Sequence, residues 1–291
     1  MKPARVQIQL FRLNKVGGER SVNSLLRAIE ADDIGDRVRY VRGANVRLES
    51  AERLNAENGL PRRWALDFVK LRDVSGPGKG SKDQPIEDLD IEEEQFFGEE
   101  AAALYLPQTG HLIAQYNHYG VRPSAMAQYL SCYLEGETNE YEADVVLDPE
   151  AEARYGRITE VRRFSVGVDL AKLTAQQRRD GHALTQALGQ AADMNGARIK
   201  IEVSVGHDKN RSLRNAKGWL SRLVNSGAAD SAEIAGRETP DGDICPVDLI
   251  NETLKHHVSI EPGSGKRLPI DARFRKLEAT YRRWRERIHN G

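Results

Sequence analysis

The alternation of apolar and polar positions predicts strands from the start of the chain. Val6, Ile8, Leu10 and Leu13 are spaced like one face of a half-buried strand over 6–13. Ser21 then precedes Val22, Leu25, Leu26 and Ile29, a helical spacing, and its hydroxyl suits an N-cap. Further strands are predicted at 37–41, 45–48 and 64–71. Apolar runs at 101–106 and 111–116 flank Pro107-Gln108-Thr109-Gly110 and predict a hairpin. Met126, Tyr129, Leu130 and Tyr133 place a helix over 124–134, followed by strands at 141–147 and 160–170. In the latter, Phe164 is out of register with Val161, which predicts a bulge near Arg163.

The second half mixes types. A helix is predicted over 174–194, stopped by Gly196. Ile199, Ile201, Val203 and Val205 share one face of a strand over 197–205. An amphipathic helix follows over 212–224. Segments 232–237 and 244–249 flank Pro240-Asp241-Gly242, whose Asp-Gly favours a tight hairpin turn. A short strand at 257–260 precedes a helix that Pro269 opens and that runs to Ile288. The fold class expected is α+β, with mixed, largely antiparallel sheets, packed helices and a long basic C-terminal helix. No internal repeat is present. The boundary falls near Asp148-Pro149, giving an N-terminal α+β domain over 1–148 and a C-terminal one over 149–291. Ser75-Gly76-Pro77-Gly78-Lys79-Gly80-Ser81-Lys82 breaks the pattern. It reads as a connector or as a basic flap, within a mobile loop over 75–95.

Composition excludes several classes. The chain has 291 residues, 30% charged and 39% hydrophobic, with a mean hydropathy of -0.60. That is the make-up of a soluble globular protein large enough for its own core. No apolar stretch reaches the ~18 residues of a membrane span. The alternating N-terminus does not read as a signal peptide. Two cysteines, Cys132 and Cys245, make neither a disulfide framework nor a zinc cluster, so a reducing cytoplasm is expected.

A formal net charge of -1 conceals strong polarity along the chain. Nine acids and no base lie between Asp83 and Glu100. That run reads as a solubilising loop or as a mimic of nucleic acid covering a basic groove. The C-terminus is basic instead. Binding responds to local field, so the total does not argue against a polyanionic partner.

Complete catalytic signatures are lacking. Lys79 precedes Gly80 and Lys266 precedes Arg267, so neither glycine-rich stretch supplies the Lys-Ser/Thr of a phosphate loop. His207-Asp208-Lys209 opens like a phospholipase-D-type motif, yet Arg214 stands where that motif needs Asp. His111 and His118 suit structural roles better than a His-Asn-His nuclease site. Asp241, Asp243, Glu202 and Lys200 do not follow the order of a metal nuclease core. Neither catalysis, nor a cofactor, nor a metal is therefore expected.

Basic chemistry is present in three places. Lys209, Arg211, Arg214 and Lys217, with Asn210, Ser212 and Asn215, surround an expected helix N-terminus, where free N–H groups and the helix dipole favour an anion. On the final helix, Phe274, Leu277, Tyr281, Trp284 and Ile288 form an apolar stripe suited to core or dimer contact. Arg273, Arg275, Lys276, Arg282, Arg283 and Arg287 are candidate phosphate contacts around it. Lys79 and Lys82 complete the set as a basic arm.

Phe97-Gly98-Glu99-Glu100-Ala101-Ala102-Ala103-Leu104-Tyr105-Leu106-Pro107, followed by the strand that ends Gln115-Tyr116-Asn117-His118-Tyr119-Gly120, resembles a bacterial and phage family of unknown function. More distantly, the order of elements is similar to that of the phage exclusion proteins of the RexA type, with a fold akin to RdgC. That resemblance implies a DNA-binding homodimer in phage defence without a cofactor. It transfers no residue positions. The reading is a sequence-nonspecific nucleic-acid binder of a bacterial or phage conflict system, acting as a dimer, with DNA ahead of RNA as partner. A protein-interaction or regulatory subunit of a defence complex, its partner drawn from the same operon, and a cryptic metal-dependent nuclease are the alternatives.

Overall fold

The computed structural model describes residues 2–74, 76–133, 140–173, 183–208, 210–264 and 267–290. The fold is α+β, as the patterning predicts, and the long C-terminal helix is present. Contacts divide the chain into two units. Met1–Gln9, Lys15–Tyr141 and His256–Gly291 form the first; Leu10–Asn14 and Glu142–Lys255 form the second. The C-terminal helix, grouped with the second half on sequence grounds, thus packs within the first unit.

In the first unit, apart from Leu10–Asn14 of β1 and Lys255 of β12, lie the strands β1 (Ala4–Gly17), β2 (Val38–Val41), β3 (Ala44–Leu54), β4 (Arg63–Arg72), β5 (Phe97–Leu106), β6 (His111–Tyr116) and β12 (Lys255–Ile260). Their order is β12-β1-β6-β5-β4-β3-β2, and the run from β2 to β6 is antiparallel throughout. The predicted 101–106/111–116 hairpin is among these pairs, with Leu106 opposite His111. The first seven residues of β4 are all buried, because both faces are covered.

Alternation along β4 assigns each helix to a face. Trp64 and Phe68 point to one side. There the Trp64 indole donates to Asn23 Oδ1 at 2.9 Å on α1 (Val22–Ala31), and Phe68 meets Tyr129 edge-on at 5.5 Å on α2 (Pro123–Ser131). Ser21 caps α1 as expected, accepting from the Ser24 N–H at 3.1 Å. Arg63 and Asp67 point to the other side, where the final helix, α6 (Ile270–Asn290), lies. Arg273, Leu277, Thr280, Tyr281, Trp284 and Ile288 are its buried residues, recurring every three or four positions. The apolar stripe is therefore core of this unit.

The face between α6 and β4 carries a buried ion pair. Arg273 donates from both Nη atoms to the two Asp67 carboxylate oxygens, at 2.7 and 2.8 Å, with each side chain only 2% exposed. Arg273 Nη2 also lies 3.4 Å from Glu100 on β5, and Arg267 pairs with that same carboxylate. Burial pushes the Asp67 carboxyl up from the ordinary range, and the two Arg273 donors oppose that shift.

The second unit holds an antiparallel sheet in the order β11-β10-β8-β9, from β8 (Glu160–Asp169), β9 (Arg198–Ser204), β10 (Ala229–Arg237) and β11 (Cys245–Asp248). β7 (Glu140–Val145) pairs with β1. The predicted bulge is real: Ala235 faces Arg163 while Gly236 faces Val161, so Arg162 is the extra residue. Phe164 packs against Trp219 at 5.5 Å on α5 (Ala216–Asn225). Of the helix predicted over 174–194, α4 (Ala183–Asp193) is described, and 174–182 lie outside the described residues. One helix was not anticipated. α3 (Pro149–Arg157) starts at the expected domain boundary, with Asp148 accepting from the Glu150 and Ala151 N–H groups at 3.0 Å and Pro149 in its first turn.

Arg273→Met is expected to lower the unfolding free energy by about 3–5 kcal/mol in urea denaturation, because it strands a buried carboxylate. The loss has a pH signature. Without the guanidinium, burial acts unopposed on Asp67, so its folded pKa rises further above the unfolded value of about 3.9. A group raised in this way favours the folded state below its unfolded pKa, and that contribution is lost as pH rises through the folded pKa. The gap to the parent protein should narrow as pH falls from about 7 towards about 4; a widening gap would contradict the assignment.

Candidate nucleic-acid interface

One face of α6 is engaged with the sheet, which leaves its remaining basic residues to solvent. Arg275, Arg282, Arg283 and Arg285 are exposed, while Lys276 and Arg287 are half-buried. Glu278, Arg282 and Arg285 share a helical flank at i, i+4 and i+7. Glu278 accepts from Arg63 Nη2 at 2.5 Å and from Nε at 3.0 Å, which fixes where that flank lies. Arg285 reaches the connection between β3 and β4: a Cβ built on Gly59, at φ +74°, would meet its Nη1 at 3.9 Å.

The same end of the sheet holds a cavity of about 330 Å³. Asn23 and Arg27 on α1, Arg53 on β3, Arg62 in the connection, Arg63 and Trp64 on β4, and Pro107 and Gln108 in the hairpin turn line it. Four of those eight residues are arginines and none is a carboxylate. Arg63 is buried and held by Glu278, by Glu57 at 3.1 Å and by the Asn55 and Pro61 carbonyls. Arg27, Arg53 and Arg62 are exposed and make no hydrogen bond or ion pair with any described residue; the same holds for Arg282 and Arg285. All five belong to one unit; Arg27, Arg53 and Arg62 line the cavity, and Arg285 reaches the connection beside it.

The residues expected from sequence fare differently. Arg273 was expected on a phosphate-facing surface; it is buried against Asp67 and unavailable, because its position falls on the sheet-facing stripe. Lys79 is exposed, but its backbone forms a two-bond bridge with Glu87, at 2.7 and 2.8 Å, and its Nζ lies 3.6 Å from the Glu87 carboxylate. The expected basic arm is thus folded onto the acidic run. Lys82 is exposed in that same acidic loop.

In the second unit the expected basic helix terminus is a loop. The helix begins at Ala216, not at Ser212, because Asn215 adopts a left-handed conformation at φ +61° that breaks it. Arg211 and Arg214 are exposed on the loop before it, and Arg211 pairs with Asp208 at 3.0 Å. Lys209 lies outside the described residues. Lys217 is half-buried, donates to the Tyr155 carbonyl at 2.6 Å and stacks on the Tyr155 ring; burial pulls its pKa down. It serves the fold. Arg162, the bulge residue, donates to the Asp208 and Arg211 carbonyls and holds the loop in place.

Among the described residues no three metal-ligating side chains come together, and no helix is long and apolar enough to cross a membrane. Sequence reasoning missed Arg27, Arg53 and Arg62. Each is an isolated arginine in an otherwise unremarkable segment, and only the folding of α1, β3 and the β3–β4 connection assembles them.

Arg162→Met should cost about 2–3 kcal/mol and speed amide exchange over 207–214, because two loop carbonyls lose a charged donor. Arg211→Gln and Arg214→Gln, at exposed positions, should stay within about 0.5 kcal/mol of the parent. Equal stability of all three variants in urea titrations would remove Arg162 from this role.

Comparison with known proteins places the chain by kinship rather than by activity. No curated protein matches it. The family model that matches, described as a family of unknown function, spans residues 18–288, and it lends no support to the likeness in element order to RexA. With nearly the whole length matched, the chain belongs to the DUF6731 family.

Proposed function

We propose that this protein binds nucleic acid through the phosphate backbone, without sequence preference and without catalysis. The observation that carries the reading is that Arg27, Arg53 and Arg62 line one cavity at an end of the first unit's sheet, with Arg285 reaching Gly59 in the adjoining connection, none of them paired with a described residue. Unpaired guanidiniums on a surface keep their full field and a fork of donors that suits phosphate oxygens. Contacts of this kind position a backbone and carry no sequence information. Duplex DNA is the preferred partner, a dimer the working form, and bacterial or phage conflict the setting. The last two rest on the likeness of element order alone. The protein acts in the cytoplasm, since its two unpaired cysteines, Cys132 and Cys245, suit a reducing compartment.

A second reading has one observation in its favour. Within the acidic loop Ile86 is 81% exposed and Phe96 is 43% exposed, beside Leu89 and Ile91. Apolar side chains spaced among carboxylates suit a protein partner with a basic, partly apolar surface.

Affinity for a 5′-hydroxyl DNA duplex should fall steeply with salt, at about -0.9 in log K per log salt for each phosphate contacted. Arg282→Gln with Arg285→Gln should weaken binding and make that slope shallower by about 2. Absence of binding at low salt, or an unchanged slope in the variant, would count against the reading. Salt-insensitive capture of a protein would favour the second.

A further inference from the structure

We propose that the arginine-rimmed cavity of the first unit is a binding site for a phosphate monoester dianion, the group carried by a mononucleotide or by the 5′ end of a strand. The inference goes beyond backbone binding, since an internal phosphodiester has one charge and no free end to insert. The cavity is a concavity of about 330 Å³, at the small end of ligand sites. Arg27, Arg53 and Arg62 rim it and have no partner among the described residues. Arg63 in its wall is buried and already balanced by Glu57 and Glu278, so it sets the shape and leaves the rim to supply the uncompensated charge. Arg27, Arg53 and Arg62 come from three separate segments and are exposed, so their guanidiniums are within reach of an anion at the rim. That suits a group with three terminal oxygens better than one with two.

The remaining lining fits an organic substituent on that phosphate. Pro107 supplies apolar wall in front of the fully buried Trp64, whose indole N–H is engaged by Asn23 Oδ1, which leaves the Asn23 Nδ2 group as a donor. Gln108, exposed in the hairpin turn, offers an amide able to donate or accept. A sugar hydroxyl or a base edge finds partners in such a set.

The test is isothermal titration of the full chain with adenosine 5′-monophosphate, inorganic phosphate and adenosine. The monophosphate is expected to bind and adenosine not. Affinity should weaken as pH drops through about 6, where the second phosphate proton returns while arginine stays charged. Arg27→Gln with Arg62→Gln, both at exposed positions, should weaken binding at least about tenfold, while Arg157→Gln in the second unit should not change it. Fluorescence anisotropy then separates the sources. A 5′-phosphorylated strand that outcompetes the mononucleotide, and binds better than its 5′-hydroxyl twin, identifies a strand end; equal binding of the two strands identifies the free nucleotide. Mononucleotide binding that survives when 5′-hydroxyl duplex does not bind would count against the backbone reading and for this one. The proposal is overturned if adenosine binds as well as its monophosphate, if nothing binds at millimolar ligand, or if the double variant matches the parent.

Discussion

The bidentate pair between Arg273 and Asp67 sets what the C-terminal helix can do. It lies between the helix and the middle of the first unit's sheet, with both side chains 2% exposed. A buried pair of this kind contributes little net stability over apolar residues of the same size, yet removing one partner is costly. Its consequence here is registration. With Arg273 fixed on Asp67 and Glu278 fixed on Arg63, the rotation of α6 about its axis is determined. Leu277, Tyr281, Trp284 and Ile288 then face the sheet, and Arg275, Arg282, Arg283 and Arg285 face water.

Basic residues in this chain thus separate by what the fold has done with them. Arg63, Arg162, Lys217 and Arg273 hold elements in place, each through bonds to carboxylates or backbone carbonyls. Lys79 sits beside its own acidic loop. Among the described residues that make no hydrogen bond or ion pair, Arg27, Arg53 and Arg62 come together at one end of one sheet, lining a cavity with no carboxylate in its wall. A near-neutral total charge is compatible with a strong local field when the pairing is this uneven. The proposed polyanion surface draws on arginines that folding did not use.

Much of the fold was legible because strands and helices here carry clean periods. The hairpin at Pro107–Gly110, the Ser21 cap and the bulge beside Arg163 all follow from local chemistry. The short helix at Pro149–Arg157 was missed although Asp148-Pro149 is a good start signal, because its Glu and Arg content hides any apolar face. The helix after Arg214 was expected too early, since a left-handed Asn215 cannot be seen in a hydrophobic pattern. The site was less legible still. Arg273 looked like any other arginine of a basic helix. The cue lay elsewhere, in Arg63 and Asp67, two charges four residues apart on one face of an apolar strand and in need of buried partners. Arg27, Arg53 and Arg62 had no cue, because long-range packing alone brings them together.

The most direct measurement is arginine footprinting: labelling with an arginine-selective dicarbonyl reagent, read by mass spectrometry, with and without saturating duplex DNA at low salt. The account predicts that DNA slows labelling of Arg62, Arg282 and Arg285, leaves exposed Arg157 unchanged, and finds buried Arg273 unreactive in both states. Labelling of Arg62, Arg282 and Arg285 that is indifferent to DNA would contradict it.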